Sequence, residues 1–395
     1  MKILNNPITI GVHTLHNRVV LQPMEACDCE NGAPSQLTVR KYMRFAESGA
    51  GLIWFEANGV CPEGLTNPGQ MQLTEQNTDR FKQLLDDMKE QALKVTGIEP
   101  KTILQLTHSG RQSMERLTMY DNKVYAHRSG QIVTDDYLDR LPESYAASTL
   151  LAEKAGFDGV DVKACHGYLL MEALSAFNRP GKYGGSFENR IRLYLNCLQA
   201  SKAVKSSGTL LTARIGLSDM VAKPNGFGTD EEGNLDLTEP LAFVDILEQQ
   251  GLELLNVTLG NPYHNPHVNR PYKVGTYTPP ESAETGLNRF ITVCKAVKAQ
   301  NPKLPVVMSA MSFYRENMLQ KGDELLQQGV CDLIGYGRAS IACPTFYEDW
   351  KKGTFNAKKQ CVLCGKCTQL MRAGQVSGCA VHDPLYREIY RGIQK

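Results

Sequence analysis

Within six positions, Lys163, His166 and Tyr168 bring together an ammonium, an imidazole and a phenol. An ammonium anchors negative charge, an imidazole donates a hydrogen bond, and a phenol gives up a proton. The same three types also read as a salt-bridged lysine, a core histidine and a packed tyrosine, and spacing alone leaves both readings open. A second group lies far downstream. Cys361, Cys364 and Cys367 are spaced C-x2-C-x2-C, and Cys379 follows twelve positions later. Four thiolates in a compact segment suit either a [4Fe-4S] cluster or a structural zinc ion. The other eight of the 12 cysteines are scattered and read as small core hydrophobes, with Cys165 a candidate pocket wall.

Lys163 closes a short apolar run, residues 159–164, that follows the breaker pair Asp158-Gly159 and reads as a buried strand. Seven similar runs occur at 19–24, 52–58, 102–107, 211–215, 254–258, 305–309 and 332–337. Each is mostly apolar, as strands covered on both faces are. Between them lie amphipathic segments such as 74–93, 186–204, 239–250, 287–299 and 315–328. Eight strand–helix alternations predict the α/β class, as a (β/α)8 TIM barrel. No Gly-x-Gly-x-x-Gly follows a strand to open a helix, so nothing points to a Rossmann domain. Residues 5–20 alternate turn residues with short extended runs and are expected to cap the bottom of the barrel. At 395 residues the chain is long enough for one barrel, expected over 1–350, and a cysteine segment over 351–395.

Barrel chemistry sits at the carboxyl ends of the strands. Those ends carry Pro23 and Met24 after the first run, Ala57 after the second, Gln105 in the third and Arg214 in the fifth. After the seventh and eighth come Ala310, Gly337 and Arg338, where small residues let backbone amides approach a phosphate and the arginine adds charge. The same glycines also suit plain tight turns. The loop after the sixth run, 260–270, is dense in polar and rigid residues. Its His264 and His267 are candidate substrate contacts or simply solvated side chains.

HGYLL at 166–170 and YGGSFENR at 183–190, with QLTHSGRQ at 105–112, resemble the signature of the Old Yellow Enzyme superfamily. The narrower likeness is to the branch holding 2,4-dienoyl-CoA reductase and trimethylamine dehydrogenase, over about residues 5–384. The resemblance implies FMN on a TIM barrel. Backbone at Pro23 and Met24 would run along the flavin, with Gln105 on its pyrimidine and Arg214 beside N1 and O2. The Gly337-Arg338 element would hold the phosphate. Tyr168 would be the acid, His166 and Lys163 the carbonyl clamp, and His264 or His267 an assistant to the tyrosine. The resemblance favours iron at the four cysteines. Three departures stand out: Lys163 replaces a common histidine, Glu25 replaces a threonine or cysteine, and the chain ends at Lys395, before any FAD- and nicotinamide-binding half.

Forty-three basic and 42 acidic residues leave no bulk charge for nucleic acid or an anionic membrane. The start lacks a signal-peptide apolar core, and no run reaches the ~18 apolar residues of a membrane span, so a cytoplasmic location is expected. The expected activity is reduction of a C=C bond conjugated to a carbonyl or thioester. The expected partners are that small molecule, NAD(P)H or a separate ferredoxin or flavoprotein as electron donor, and a second copy in a homo-oligomer. An amine dehydrogenase is one alternative, disfavoured because an aromatic bowl would have only Trp54 and Trp350 to draw on. A non-redox barrel with a four-cysteine zinc site is the other.

Overall fold

The eight apolar runs close into an all-parallel barrel in the computed structural model, which describes residues 2–272 and 277–394. Its strands are β1 (Val19–Leu21), β2 (Leu52–Gly59), β3 (Lys101–Thr107), β4 (Gly159–Val162), β5 (Leu210–Gly216), β6 (Leu254–Thr258), β7 (Val306–Met308) and β8 (Leu333–Tyr336). Neighbours in sequence are neighbours in space, and β8 pairs with β1 to complete the ring. This is a (β/α)8 TIM barrel. The outer layer comprises α1 (Gln36–Ala46), α2 (Thr78–Thr96), α3 (Asp135–Ala155), α4 (Phe187–Val204), α5 (Thr238–Gln249), α6 (Ala283–Gln300) and α7 (Met318–Gln327). Several begin where a hydroxyl satisfies the free amides of the first turn: Ser35, Thr134, Ser186 and Ser282 all accept from helix N–H groups.

Local chemistry sets the ends of the elements. The β1 ladder stops short of the expected residue 24 because Pro23 has no N–H to donate. In β2 the register shifts between Trp54 and Ala57, a bulge that re-aims the strand end. The seventh helix starts at Met318 rather than 315, since Arg315 sits at φ 46° in a 3-10 segment. An antiparallel hairpin, Ile8–Ile10 with His13–Leu15, closes the bottom as expected. Its Ile10 and Leu15 pack with Val20, Leu52, Ile103, Leu210 and Leu333 from the strands.

Residues beyond the barrel lie across its opposite end. Ser377 N donates to Ala26 O at 2.8 Å in the loop after β1, and Arg372 Nη2 donates to Pro262 O at 3.1 Å after β6. Two short helices, Lys366–Arg372 and Pro384–Gly392, share a small core of Leu370, Ala380, Tyr386 and Tyr390. Asp383 caps the second helix and pairs with Arg40 and Arg44 of α1 at 2.8 and 2.7 Å. The cysteine segment is thereby held against the barrel mouth. Among the described residues, no helix is long and apolar enough to cross a membrane.

Candidate active site

The mouth of the barrel holds a cavity with about 760 Å³ of space between its walls, open to solvent. Pro23, Met24, Ala57, Gln105, Lys163, His166, Tyr168 and Arg214 all line it. The loop after β4 aims three of them. His166 and Gly167 both adopt left-handed backbone, at φ 65° and 69°. A Cβ on Gly167 would lie 2.2 Å from the Asn261 side chain, so only glycine fits the turn. A non-glycine residue held at positive φ stores strain, here in the residue that presents the imidazole.

Each side chain then acquires its own electrostatic state. Lys163 is buried, makes no hydrogen bond or ion pair with a described residue, and lies 3.9 Å from the centroid of the Tyr168 ring. Its carboxylate neighbours, Glu25 and Asp161, are hydrogen-bonded elsewhere: Glu25 with Tyr168 and Thr66, and Asp161 with Trp54 and Gln105. Burial holds the Lys163 ammonium below its ordinary pKa. His166 Nε2 accepts from Asn269 Nδ2 at 3.1 Å, which puts the ring proton on Nδ1. Burial, then Arg214 and Lys163, hold it well below the usual imidazole value, so the ring is neutral near pH 7. The Tyr168 hydroxyl donates to Glu25 Oε2 at 3.1 Å and lies 3.3 Å from the Tyr263 hydroxyl. Burial and Glu25 raise its pKa well above that of a free phenol.

The inner wall fits the flavin expected from the motifs. Gln105 Nε2 donates to Asp161 at 2.7 Å, leaving its carbonyl oxygen to accept from a ring N–H. Arg214 is buried, and its Nε has no hydrogen-bond partner. A buried guanidinium that makes no ion pair among the described residues suits an electron-rich partner, which a reduced flavin pyrimidine provides. Toward β7 and β8, Ala339 N donates to Ser312 Oγ at 3.1 Å and ties the two loops together. A Cβ on Gly337 would meet Met24 Sδ at 2.9 Å. Arg338 is buried and, among the described residues, has only Pro271 O as acceptor, at 3.4 Å. Burial and the Arg338 charge pull Arg270 down to about 10. Two neighbouring guanidiniums, neither paired with a described carboxylate, fit a phosphate dianion.

The four cysteines come together as a group. Cys361, Cys364, Cys367 and Cys379 line a smaller cavity with Arg338, and Cys367 also lines the large one. Burial pushes the Cys361 thiol up to about 11 and raises Cys379, with small contributions from neighbouring cysteines. Neither His264 nor His267 faces the large cavity. His264 is exposed and edge-on to Tyr125, and His267 pairs with the Tyr277 hydroxyl. The same loop offers Tyr263, Asn269 and Arg270 to the cavity instead. Its turn is set by Asn261 and Asn265, whose side chains bond backbone within it, and no periodicity predicts which residues then face inward. Glu25 was also missed as a site residue, although a carboxylate directly after a barrel strand is a readable signal.

Three comparisons bear on what this mouth does. The chain is 26% identical over 402 residues to a metal reductase of Desulforamulus reducens, covering 98% of this chain and 54% of that protein. It is 25% identical over 352 residues to an NADPH dehydrogenase of Bacillus subtilis, covering 87% of this chain and 92% of that one. The structure matches that of a 2-naphthoyl-CoA reductase in complex with 2-naphthoyl-CoA, with a TM-score of 0.81 at 20% identity, over 98% of this chain and 58% of the other. The chain thus spans about half the length of the first and third of these proteins. Residues 3–356 match the family model described as NADH:flavin oxidoreductase / NADH oxidase. The chain belongs to that family of flavin-dependent oxidoreductases.

Proposed function

We propose that the chain is an FMN-dependent ene reductase acting on a C=C bond conjugated to a carbonyl or thioester. The observation that carries this reading is that Lys163, His166 and Tyr168 face one cavity whose inner wall holds Gln105 and Arg214. When bound, reduced FMN supplies the hydride for the β-carbon. Lys163 and the Nδ1–H of His166 donate to the carbonyl oxygen, where negative charge grows after hydride addition. Tyr168 gives its proton to the α-carbon. Lys163, Arg214 and Arg270 make the walls cationic, which disfavours a substrate ammonium and hence the amine-dehydrogenase alternative.

Tyr168→Phe tests the assignment. It should slow substrate reduction roughly 10²–10⁴-fold, the usual contribution of a general acid, while flavin reduction proceeds. Equal rates in both half-reactions would remove Tyr168 from the role. NAD(P)H as reductant is supported by the family and by the name of the Bacillus subtilis relative.

We further propose a [4Fe-4S] cluster on Cys361, Cys364, Cys367 and Cys379. The four cysteines line one small cavity beside Arg338, and the likeness of their C-x2-C-x2-C spacing to iron–sulfur segments supports iron over zinc. Iron and acid-labile sulfide in anaerobically purified protein would bear this out. Zinc in a protein without visible absorption beyond flavin would refute it.

A further inference from the structure

Protonation of the α-carbon discharges Tyr168, and the phenol must be recharged before the next turnover. Tyr168 is only 2% exposed, and its hydroxyl is held by neighbouring side chains. Its hydroxyl has two partners, Glu25 Oε2 at 3.1 Å and the Tyr263 hydroxyl at 3.3 Å. Lys163 lies over the ring face and makes no hydrogen bond to that oxygen. Among the described residues, the Tyr263 hydroxyl bonds only Tyr168, and burial raises its pKa above the usual phenol range, which makes it a poor proton source. The route through Glu25 continues. Glu25 Oε1 accepts from Thr66 Oγ1 at 3.0 Å, and Thr66 is partly exposed.

We infer that Glu25 supplies the proton that Tyr168 delivers, with Thr66 linking Glu25 to solvent; the inference rests on the ene-reduction reading above. Thr66 has a second acceptor, Gln70 Oε1 at 2.9 Å. When Glu25 is ionised, Thr66 donates to it. When Glu25 is protonated on Oε2, that proton faces the Tyr168 oxygen, and Thr66 donates to Oε1 or to Gln70. Either state leaves every hydroxyl satisfied, as a carboxyl group that must change charge each cycle requires. In the transfer, the Tyr168 O–H bond breaks as the α-carbon C–H bond forms. The Glu25 O–H bond breaks as the Tyr168 O–H bond is restored. Glu25 is left as carboxylate and regains one proton from water through the Thr66 hydroxyl. Glu25 acts through Tyr168 and is a positioning residue for it.

The test uses holoenzyme reduced with dithionite and mixed with cyclohexenone or crotonyl thioester, whichever the wild type turns over. Glu25→Gln keeps a hydrogen-bonding side chain but has no acidic proton. It should slow flavin reoxidation by about 10- to 100-fold, part of a general acid's contribution. In a Tyr168→Phe background the same change should cost nothing more, because both act on one proton. Thr66→Val should leave the first turnover fast and slow only the later ones. A readout independent of flavin is the ultraviolet tyrosinate titration of Tyr168, assigned by difference from Tyr168→Phe. Glu25, Tyr263, Cys27 and Lys163 face this phenol, and removal of the Glu25 charge should let it ionise at lower pH. A Glu25→Gln enzyme with wild-type reoxidation, or additive losses in the double variant, would overturn the inference while leaving Tyr168 as the acid. Fast reoxidation in Tyr168→Phe alone would overturn both.

Discussion

Lys163 makes no ion pair among the described residues, with Glu25 and Asp161 acting on it only through space, so its ammonium is available to whatever enters the cavity. A desolvated ammonium gains most from an anionic or strongly polarised partner. Lys163→Met should raise KM for unsaturated acids more than for neutral enones, and steady-state kinetics on both classes would show it. Equal effects would mean that the lysine only shapes the wall. His108 titrates differently. It is buried at the end of β3, its Nδ1 accepts from Gly110 N at 3.0 Å, and its Nε2 lies 2.8 Å from the Tyr137 hydroxyl. Burial lowers its pKa to about 4 from an ordinary 6.5. Between those values the unfolded chain binds a proton that the native site refuses, so stability present above pH 6.5 is lost as pH falls toward 4. A gap of that size corresponds to about 3 kcal/mol. Chemical denaturation across this range should show the loss in wild type and a shallower one in His108→Gln. At this scale the sequence was readable where one residue implies one chemistry. Lys163, His166, Tyr168, Gln105 and Arg214 reach the cavity because barrel strands aim their ends there. Glu25 and Tyr263 gain meaning only through the Tyr168 hydroxyl, a contact across 143 and 95 positions of sequence.

All eight barrel strands were legible as elements, because parallel strands covered on both faces must be short and apolar. Their limits were less so. The bulge in β2 and the early stop of β1 come from pairing geometry and from Pro23, which hydrophobicity does not register. The cysteine segment was legible by its thiols but not by its attachment, which depends on Asp383. That carboxylate is 2% exposed, caps its own helix through Leu385 N at 3.1 Å, and draws Arg40 and Arg44 from α1. Asp383→Ala removes the cap and both ion pairs. The cap alone contributes about 0.5–2 kcal/mol, and the small core of four residues behind it has little to offset the loss. Amide exchange should rise across Pro384–Gly392 with the barrel strands still protected. A matching loss of protection in the strands would instead show that segment and barrel open as one unit.

Across the whole molecule, two cavities share a wall. Cys367 borders both the space ringed by the four cysteines and the space lined by Tyr168 and Arg214. With the proposed cluster on one side and flavin on the other, Cys367 would stand between the two groups. A cluster placed there either loads the flavin or serves only to staple the segment. These roles predict different reductants. If the cluster carries electrons, a separate ferredoxin or flavoprotein should reduce the flavin through it, and free NADH or NADPH should be slow. If it is a staple, nicotinamide must enter the large cavity itself, in competition with substrate. Anaerobic stopped-flow mixing separates the two. Flavin bleaching by a reduced ferredoxin should be fast in wild type and lost in a folded Cys364→Ala variant, while dithionite still reduces the flavin in both. Fast bleaching by NADH alone, undiminished in Cys364→Ala and slowed by added substrate, would assign the reductant to the large cavity and leave the cysteines a structural role.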